Sequence, residues 1–126
     1  MSNNLNIPHS FPWISEEDIN AVSKQLQDGM IANGEMAKKF ESEFASKVGY
    51  LFALSTSSGT SALIVALIAS GVKKGDEVII PTYVCDSVMK AVRSIGAKVV
   101  LCDNGKGWSI ESSTIEKKIS SKTKAI

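Results

Sequence analysis

Leu54-Ser55-Thr56-Ser57-Ser58-Gly59-Thr60-Ser61-Ala62-Leu63 is the stretch on which the fold of this chain turns. The apolar residues before it, Tyr50 to Leu54, read as a buried strand. Those after it, Ala62 to Ser70, are apolar on every side and suit a helix buried beneath other layers. Between them lies a strand–loop–helix junction built of small residues. One glycine lets the backbone come close to a bound group. The helix start offers free amides and a partial positive charge, and Ser58, Thr60 and Ser61 add hydroxyls. Those are the ingredients of a phosphate site. The segment is neither a Walker loop, since no Gly-Lys-Ser/Thr follows, nor the GxGxxG dinucleotide fingerprint. Read alone, a Ser/Thr-rich turn of this kind more often only caps its helix.

Outward from the junction the elements alternate. Gly71 and Lys74-Gly75-Asp76 turn into a strand over Glu77 to Ile80, which Pro81 ends. Val88, Val92 and Ile95 mark a helix closed by Gly96, with Asp86 as its cap. Lys98 to Cys102 is a strand, Asp103 to Gly107 a polar loop, and Ser113 to Ile119 a short helix opened by Ser113-x-x-Glu116. Lys124-Ala125-Ile126 begins another strand. This order predicts an α/β fold: a parallel sheet with right-handed crossovers and helices on both faces. Toward the N-terminus, Ile14-Ser15-Glu16-Glu17-Asp18-Ile19 predicts a helix with a Ser15/Asp18 capping box and an Ile14/Ile19 staple, continued by Val22 and Leu26. Met36, Phe40, Phe44 and Val48 form one stripe of a second helix that stops at Gly49. The expected organisation is a helical segment over 1–49 and an incomplete α/β domain over 50–126. A sheet this small leaves edges and apolar faces to be covered, so the sequence reads as the front part of something larger.

Composition narrows the function classes. The 126 residues carry a formal charge of +1 from 14 basic and 13 acidic side chains, which gives no footprint for nucleic acid or a membrane surface. The longest apolar run, Ala62 to Ala69, falls far short of the ~20 residues that span a bilayer. The first ten residues, MSNNLNIPHS, lack the basic segment and apolar core of a signal peptide. A cytoplasmic protein is expected, with Cys85 and Cys102 as two buried free thiols. His9 has no partner at a recognised catalytic or metal spacing, and Lys73, Lys74, Lys98 and Lys122 read as solvated surface charge.

Taken in order, the motifs resemble the DegT/DnrJ/StrS-type sugar aminotransferases, pyridoxal-phosphate enzymes of fold type I. The marks are the Pro12 to Val22 helix, the turn Gly29-Met30-Ile31-Ala32-Asn33-Gly34, and Phe40-Glu41-x-Glu43-Phe44-Ala45. Ser58-Gly59-Thr60-Ser61-Ala62-Leu63, Gly75-Asp76-Glu77-Val78-Ile79-Ile80-Pro81, Gly96-Ala97-Lys98-Val99-Val100 and Lys122-Thr123-Lys124-Ala125-Ile126 follow. The resemblance implies the N-terminal part of a fold-type I large domain with pyridoxal 5′-phosphate as cofactor. It implies that Ser58, Gly59, Thr60 and Ser61 grip the cofactor phosphate. It places Cys85 where the family usually has an aromatic side chain against the pyridine ring. Cysteine cannot stack in that way, so either Tyr83 substitutes, Cys85 packs on the ring, or Cys85 is a core residue without a catalytic task. The implied reaction moves an amino group from an amino-acid donor to a keto sugar carried on a nucleotide, in a homodimer.

Two groups that this chemistry needs have no match here: a lysine that forms a Schiff base with the cofactor, and an acid facing the pyridine nitrogen. The chain is therefore expected to supply the phosphate loop but to be inactive by itself. Two other readings stand beside this one: a naturally truncated, non-catalytic module for binding or self-association, and a free-standing module that binds a phosphate ligand.

Overall fold

The computed structural model describes residues 8–126, so Met1–Ile7 of the N-terminal reading lie outside the described residues. The chain divides into two compact units, Met1–Ala53 and Leu54–Ile126.

The first unit contains helices α1 (Glu16–Gln27) and α2 (Glu35–Val48). The capping box at α1 forms as predicted: the Asp18 amide donates to Ser15 Oγ at 3.2 Å, and the Ser15 amide donates to the Asp18 carboxylate at 2.9 Å. That bond to the Ser15 amide holds the Asp18 carboxyl below its usual range, helped by the Ser15 hydroxyl. Gly49 stops α2 in the left-handed region at φ 76°, and the Tyr50 amide closes back on the Ala45 carbonyl at 2.9 Å. Phe40 and Phe44 stack one turn apart on the predicted stripe, with ring centroids 5.8 Å apart. Among the described residues of this unit only Ala45 is buried. Both apolar stripes stay exposed, and Ile14 and Ile19 do so too.

The second unit is the α/β body. In chain order it contains α3 (Gly59–Ala69), β1 (Glu77–Pro81), α4 (Asp86–Ser94), β2 (Lys98–Cys102), α5 (Ser112–Glu116) and β3 (Thr123–Ala125). The three strands form one parallel sheet in the order β2-β1-β3. Glu77 to Pro81 pair in register with Lys98 to Cys102, and a register shift between Glu77 and Val78 marks the pairing with β3. The connection through α4 carries the chain to one side of β1, and the connection through α5 carries it back past β1 to the other. With right-handed crossovers, that reversal puts the two helices on opposite faces.

The packing agrees. Val78, Ile80 and Val99 point to one face and join a core with Val72, Val88, Val92 and Ala97, closed by α4. Ile79 and Val100 alternate to the other face, where the Cys102 thiol meets the Thr114 hydroxyl of α5 at 3.4 Å. The central strand is thus covered on both sides, and Ile79 is 1% exposed.

At the start of the strands a charged clamp replaces apolar packing. The buried Glu77 carboxylate accepts from Ser120 Oγ at 2.6 Å and from Lys98 Nζ at 2.9 Å, joining β1 to β2 and to the turn before β3. Lys98 is therefore the ion-pair partner of Glu77, not a lone solvated charge.

Several sequence-based expectations need correction. Tyr50 to Leu54 is not a strand: no strand of the sheet pairs with it, and Leu51, Phe52 and Leu54 are exposed. An apolar run becomes a strand only when a neighbour takes its hydrogen bonds. The α3 helix forms as predicted, yet none of its residues is buried. Asp86 is the first residue of α4 and ion-pairs with Lys90 at 2.6 Å instead of capping, while Cys85 holds the cap position without a side-chain bond. Glu111, not Ser113, precedes α5, and no capping box forms there. Cys102 is buried as expected, but Cys85 is exposed, because its place at a helix start faces it outward; both thiols are free.

Candidate functional site

The segment Ser55–Ser61 becomes a loop that turns directly into α3. Ser58 caps the helix from extended backbone, and its Oγ accepts from the Ser61 amide at 3.1 Å. The Ser61 hydroxyl lies 3.0 Å from Ser58 Oγ and 3.3 Å from Ser57 Oγ, so three hydroxyls form one short chain. Thr56 Oγ1 donates to the Ser58 carbonyl at 3.0 Å and fixes the loop before the cap. The first amides of a helix have no partner inside it. Since Ser61 is capped, the amides left open are those of Gly59 and Thr60.

A side chain at Gly59 would meet nothing within 4 Å, and its φ is not in the left-handed region. The glycine is needed neither for the turn nor for close packing within this chain. It leaves the approach to the two amides clear. A small anion there would meet two amides, neighbouring hydroxyls and the positive end of an 11-residue helix.

Pro81-Thr82-Tyr83-Val84-Cys85 leads from β1 into α4 at the carboxyl end of the sheet. Cys85 Sγ accepts from Ser87 Oγ at 3.2 Å. That bond, with one from the Ser87 backbone, holds the thiol below its usual range against the opposing charge of Asp86. Exposed Cys85 starts the helix that covers one sheet face, so it belongs to the loop surface and not to the core.

Sequence reasoning missed the residue that braces this loop. The Asn104 amide oxygen accepts from the Tyr83 amide at 3.0 Å and from Thr82 Oγ1 at 3.2 Å, while its nitrogen donates to the Trp108 carbonyl. One side chain thus ties the loop after β2 to the loop after β1. Its only trace in the sequence is an asparagine in a polar turn, where self-contained turns are the default reading. His9 and the lysines Lys73, Lys74 and Lys122 are exposed, and among the described residues no cluster of metal-binding side chains occurs. No helix among them is long and apolar enough to cross a membrane.

Comparison with known proteins bears on the same segments. GDP-perosamine synthase of Escherichia coli O157:H7 is 36% identical over 122 residues, which is 95% of this chain and 34% of that protein. The spore coat polysaccharide biosynthesis protein SpsC of Bacillus subtilis (strain 168) is 34% identical over 121 residues, 95% of this chain and 31% of that protein. This chain therefore spans about a third of the length of these relatives.

Among solved structures, the aminotransferase from Psychrobacter cryohalolentis superposes with a TM-score of 0.83 at 30% identity, covering 90% of this chain and 30% of that one. NtdA from Bacillus subtilis, solved with bound cofactor PMP, superposes at 0.80 with 27% identity, covering 87% and 26%. The parallel sheet with helices on both faces is thus a fold shared with about 30% of the length of the aminotransferase from Psychrobacter cryohalolentis. Residues 12–126 match the DegT/DnrJ/EryC1/StrS aminotransferase family as one continuous stretch, and the chain belongs to that family.

Proposed function

We propose that this chain supplies the phosphate-binding part of a pyridoxal-phosphate aminotransferase that acts on a nucleotide-linked keto sugar with an amino-acid donor. The observation that carries the reading is the start of α3: two open amides, Gly59 and Thr60, beside the linked hydroxyls of Ser57, Ser58 and Ser61. That donor set fits the phosphate of the cofactor, an anion that amides at a helix start hold well. Ser58 fixes the direction of the first turn, and Ser61 presents its hydroxyl at the same edge. Cys85 is the position for the ring wall; its sulfur offers a polarisable contact in place of aromatic stacking. When bound, the pyridine ring supplies an electron sink for moving the amino group.

The relatives' printed functions support the substrate class: one is a GDP-perosamine synthase and another a spore coat polysaccharide biosynthesis protein. The near-neutral charge and the lack of a membrane-crossing helix among the described residues support a cytoplasmic place. A homodimer is proposed on the exposed apolar stripes of α1 and α2. The amino-transfer step is proposed for the full-length protein; the 126 residues by themselves are expected to show no turnover.

Calorimetric titration of the chain with pyridoxine phosphate tests the cradle, since that compound has no aldehyde to react with surface lysines. Saturable binding is expected, and pyridoxine without its phosphate should not bind. Gly59→Asp should abolish binding while leaving the fold intact, because an acid in the first turn suits the helix dipole but repels a phosphate. No saturable binding, or equal binding of pyridoxine, overturns the assignment.

A further inference from the structure

The same dipeptide occurs at two places in the chain, Asn33-Gly34 and Asn104-Gly105. Asparagine is a thermolabile residue, and a following glycine exposes it further. Without a Cβ, the glycine lets its backbone nitrogen approach the side-chain amide carbon of the asparagine before it. Ammonia can then be lost without an enzyme. What holds the two reacting groups decides whether that happens, and the two sites differ in that respect.

Asn33-Gly34 lies in the connection between α1 and α2. Asn33 is exposed, and among the described residues neither its side chain nor the Gly34 amide has a hydrogen-bond partner. Gly34 is the cap residue of α2, and its carbonyl accepts from the Ala37 and Lys38 amides at 3.1 and 3.2 Å. The carbonyl of this glycine is committed to the helix, while its nitrogen stays open.

Asn104-Gly105, after β2, is the opposite case. The half-buried Asn104 side chain accepts from the Tyr83 amide and the Thr82 hydroxyl and donates to the Trp108 carbonyl. The Gly105 amide donates to the Ser109 carbonyl at 2.8 Å. All these bonds must let go before the ring can close. Tyr83 and Trp108 stand over the same brace, with ring centroids 5.1 Å apart, and line a cleft of about 450 Å³. An acid at position 104 would lose the donor to the Trp108 carbonyl, so the brace that orders this cleft survives only while the amide does.

We propose that Asn33 is a self-modification site of this chain, and that the fold protects Asn104 from the same reaction. Hydroxide takes the Gly34 amide proton, and the nitrogen attacks Asn33 Cγ. An N–Cγ bond forms, the bond from Cγ to the side-chain nitrogen breaks, and ammonia leaves with a proton from water, which returns the hydroxide. Water then opens the cyclic imide at either carbonyl and gives aspartate or its β-linked isomer. Water is consumed and ammonia released, with no oxidation or reduction. Either product places a carboxylate just before the start of α2, where the helix dipole favours it and where Gly34 supplies no side-chain cap. The β-linked product also lengthens the backbone inside the Gly29–Gly34 turn. The proposal does not depend on the aminotransferase reading.

Tryptic mapping by mass spectrometry, during incubation of the folded chain in mildly alkaline buffer, provides the test. The peptides Gln25–Lys38 and Val99–Lys106 hold the two sites, and fragment ions locate the mass gain of an amide turned to an acid. Asn33 should convert at least roughly tenfold faster than Asn104, since each hydrogen bond to be released slows the second site several-fold. Unfolding in urea should remove the difference. Labelling by an isoaspartate-specific methyltransferase should report the β-linked product at Asn33. Gly34→Ala should slow Asn33 conversion, because the methyl crowds the attacking nitrogen; its nearest contact in the fold is the flexible end of Met30 at 3.2 Å. Thr82→Val removes one bond to Asn104 and should speed conversion there.

Comparable rates at the two sites in the folded chain overturn the proposal, and so does an Asn33 that converts only after unfolding. A difference that persists in urea overturns it as well, because neighbouring residues and not the fold would then set the rates.

Discussion

Helices α3 and α4 pack against each other in the same unit, yet they meet their surroundings in opposite ways. The α4 helix, DSVMKAVRS, is amphipathic: Ala91 and Val92 are sealed against the sheet, while Asp86 and Lys90 pair on the outside. The α3 helix, GTSALIVALIA, has no charged residue and no polar side beyond its first turn. None of its residues is buried, and Ile68 is 59% exposed. The more apolar helix is thus the less covered one. Apolarity states how much surface a helix should hide, but only neighbours decide how much it does hide.

The strongest way to break this comparison is to place a carboxylate on each helix. Val92→Asp should cost about 3 kcal/mol or more, since it buries an unpaired charge. Ile68→Asp should cost less than about 0.5 kcal/mol, as exposed substitutions do. Denaturant midpoints measure both. If the two variants lose comparable stability, the outer face of α3 is covered in solution and the contrast between the helices fails.

Next comes acid sensitivity, which tests whether charge holds the sheet where the helices do not. The Ser120 hydroxyl, and after it Lys98, hold the Glu77 carboxyl below its usual 4.5. A depressed folded-state pKa contributes stability that is present above the unfolded value and lost as pH falls through the folded one. Thermal midpoints should therefore fall as pH drops below about 4.5. In Glu77→Gln that acid limb should flatten; an unchanged limb would mean that other carboxylates carry it.

Smaller effects lie at the helix starts, where α3 has a side-chain cap and α4 has none. Ser58→Ala should cost about 1 kcal/mol, the usual worth of such a cap. Its phosphate affinity should fall as well, because the Ser61 amide and hydroxyl lose the oxygen that orients them. Smallest of all, Cys85→Ser should stabilise by roughly 0.5 kcal/mol, by giving α4 the cap it lacks. A destabilised Cys85→Ser protein would show that the thiol packs better than its exposure suggests.

Elements with complete local signals were legible in the sequence. The Ser15/Asp18 capping box, the Gly49 stop and the bounds of Lys98 to Cys102 follow from side chains a few residues apart. So does the Ser58 cap that opens the cradle. Features that need a distant partner were not legible. Asn104 reaches 21 residues back to the Tyr83 amide, and Glu77 reaches 43 residues on to Ser120. No spacing rule links such positions. Tyr50 to Leu54 failed for the same reason in reverse: its residues suit a strand, but strand pairing is a property of two segments.

The sequence by itself determined the caps of α1 and α3, the Gly49 stop, the alternation of helix and strand from α3 onward, and the family, because each is written in short-range chemistry or in ordered motifs. Tertiary structure alone decided the strand order β2-β1-β3, the Asn104 brace with its aromatic cleft, the Glu77 clamp and the bareness of α3. Those depend on which surfaces come together in space. Burial and long-range hydrogen bonds belong to pairs of segments, and one segment's residues record only half of each pair.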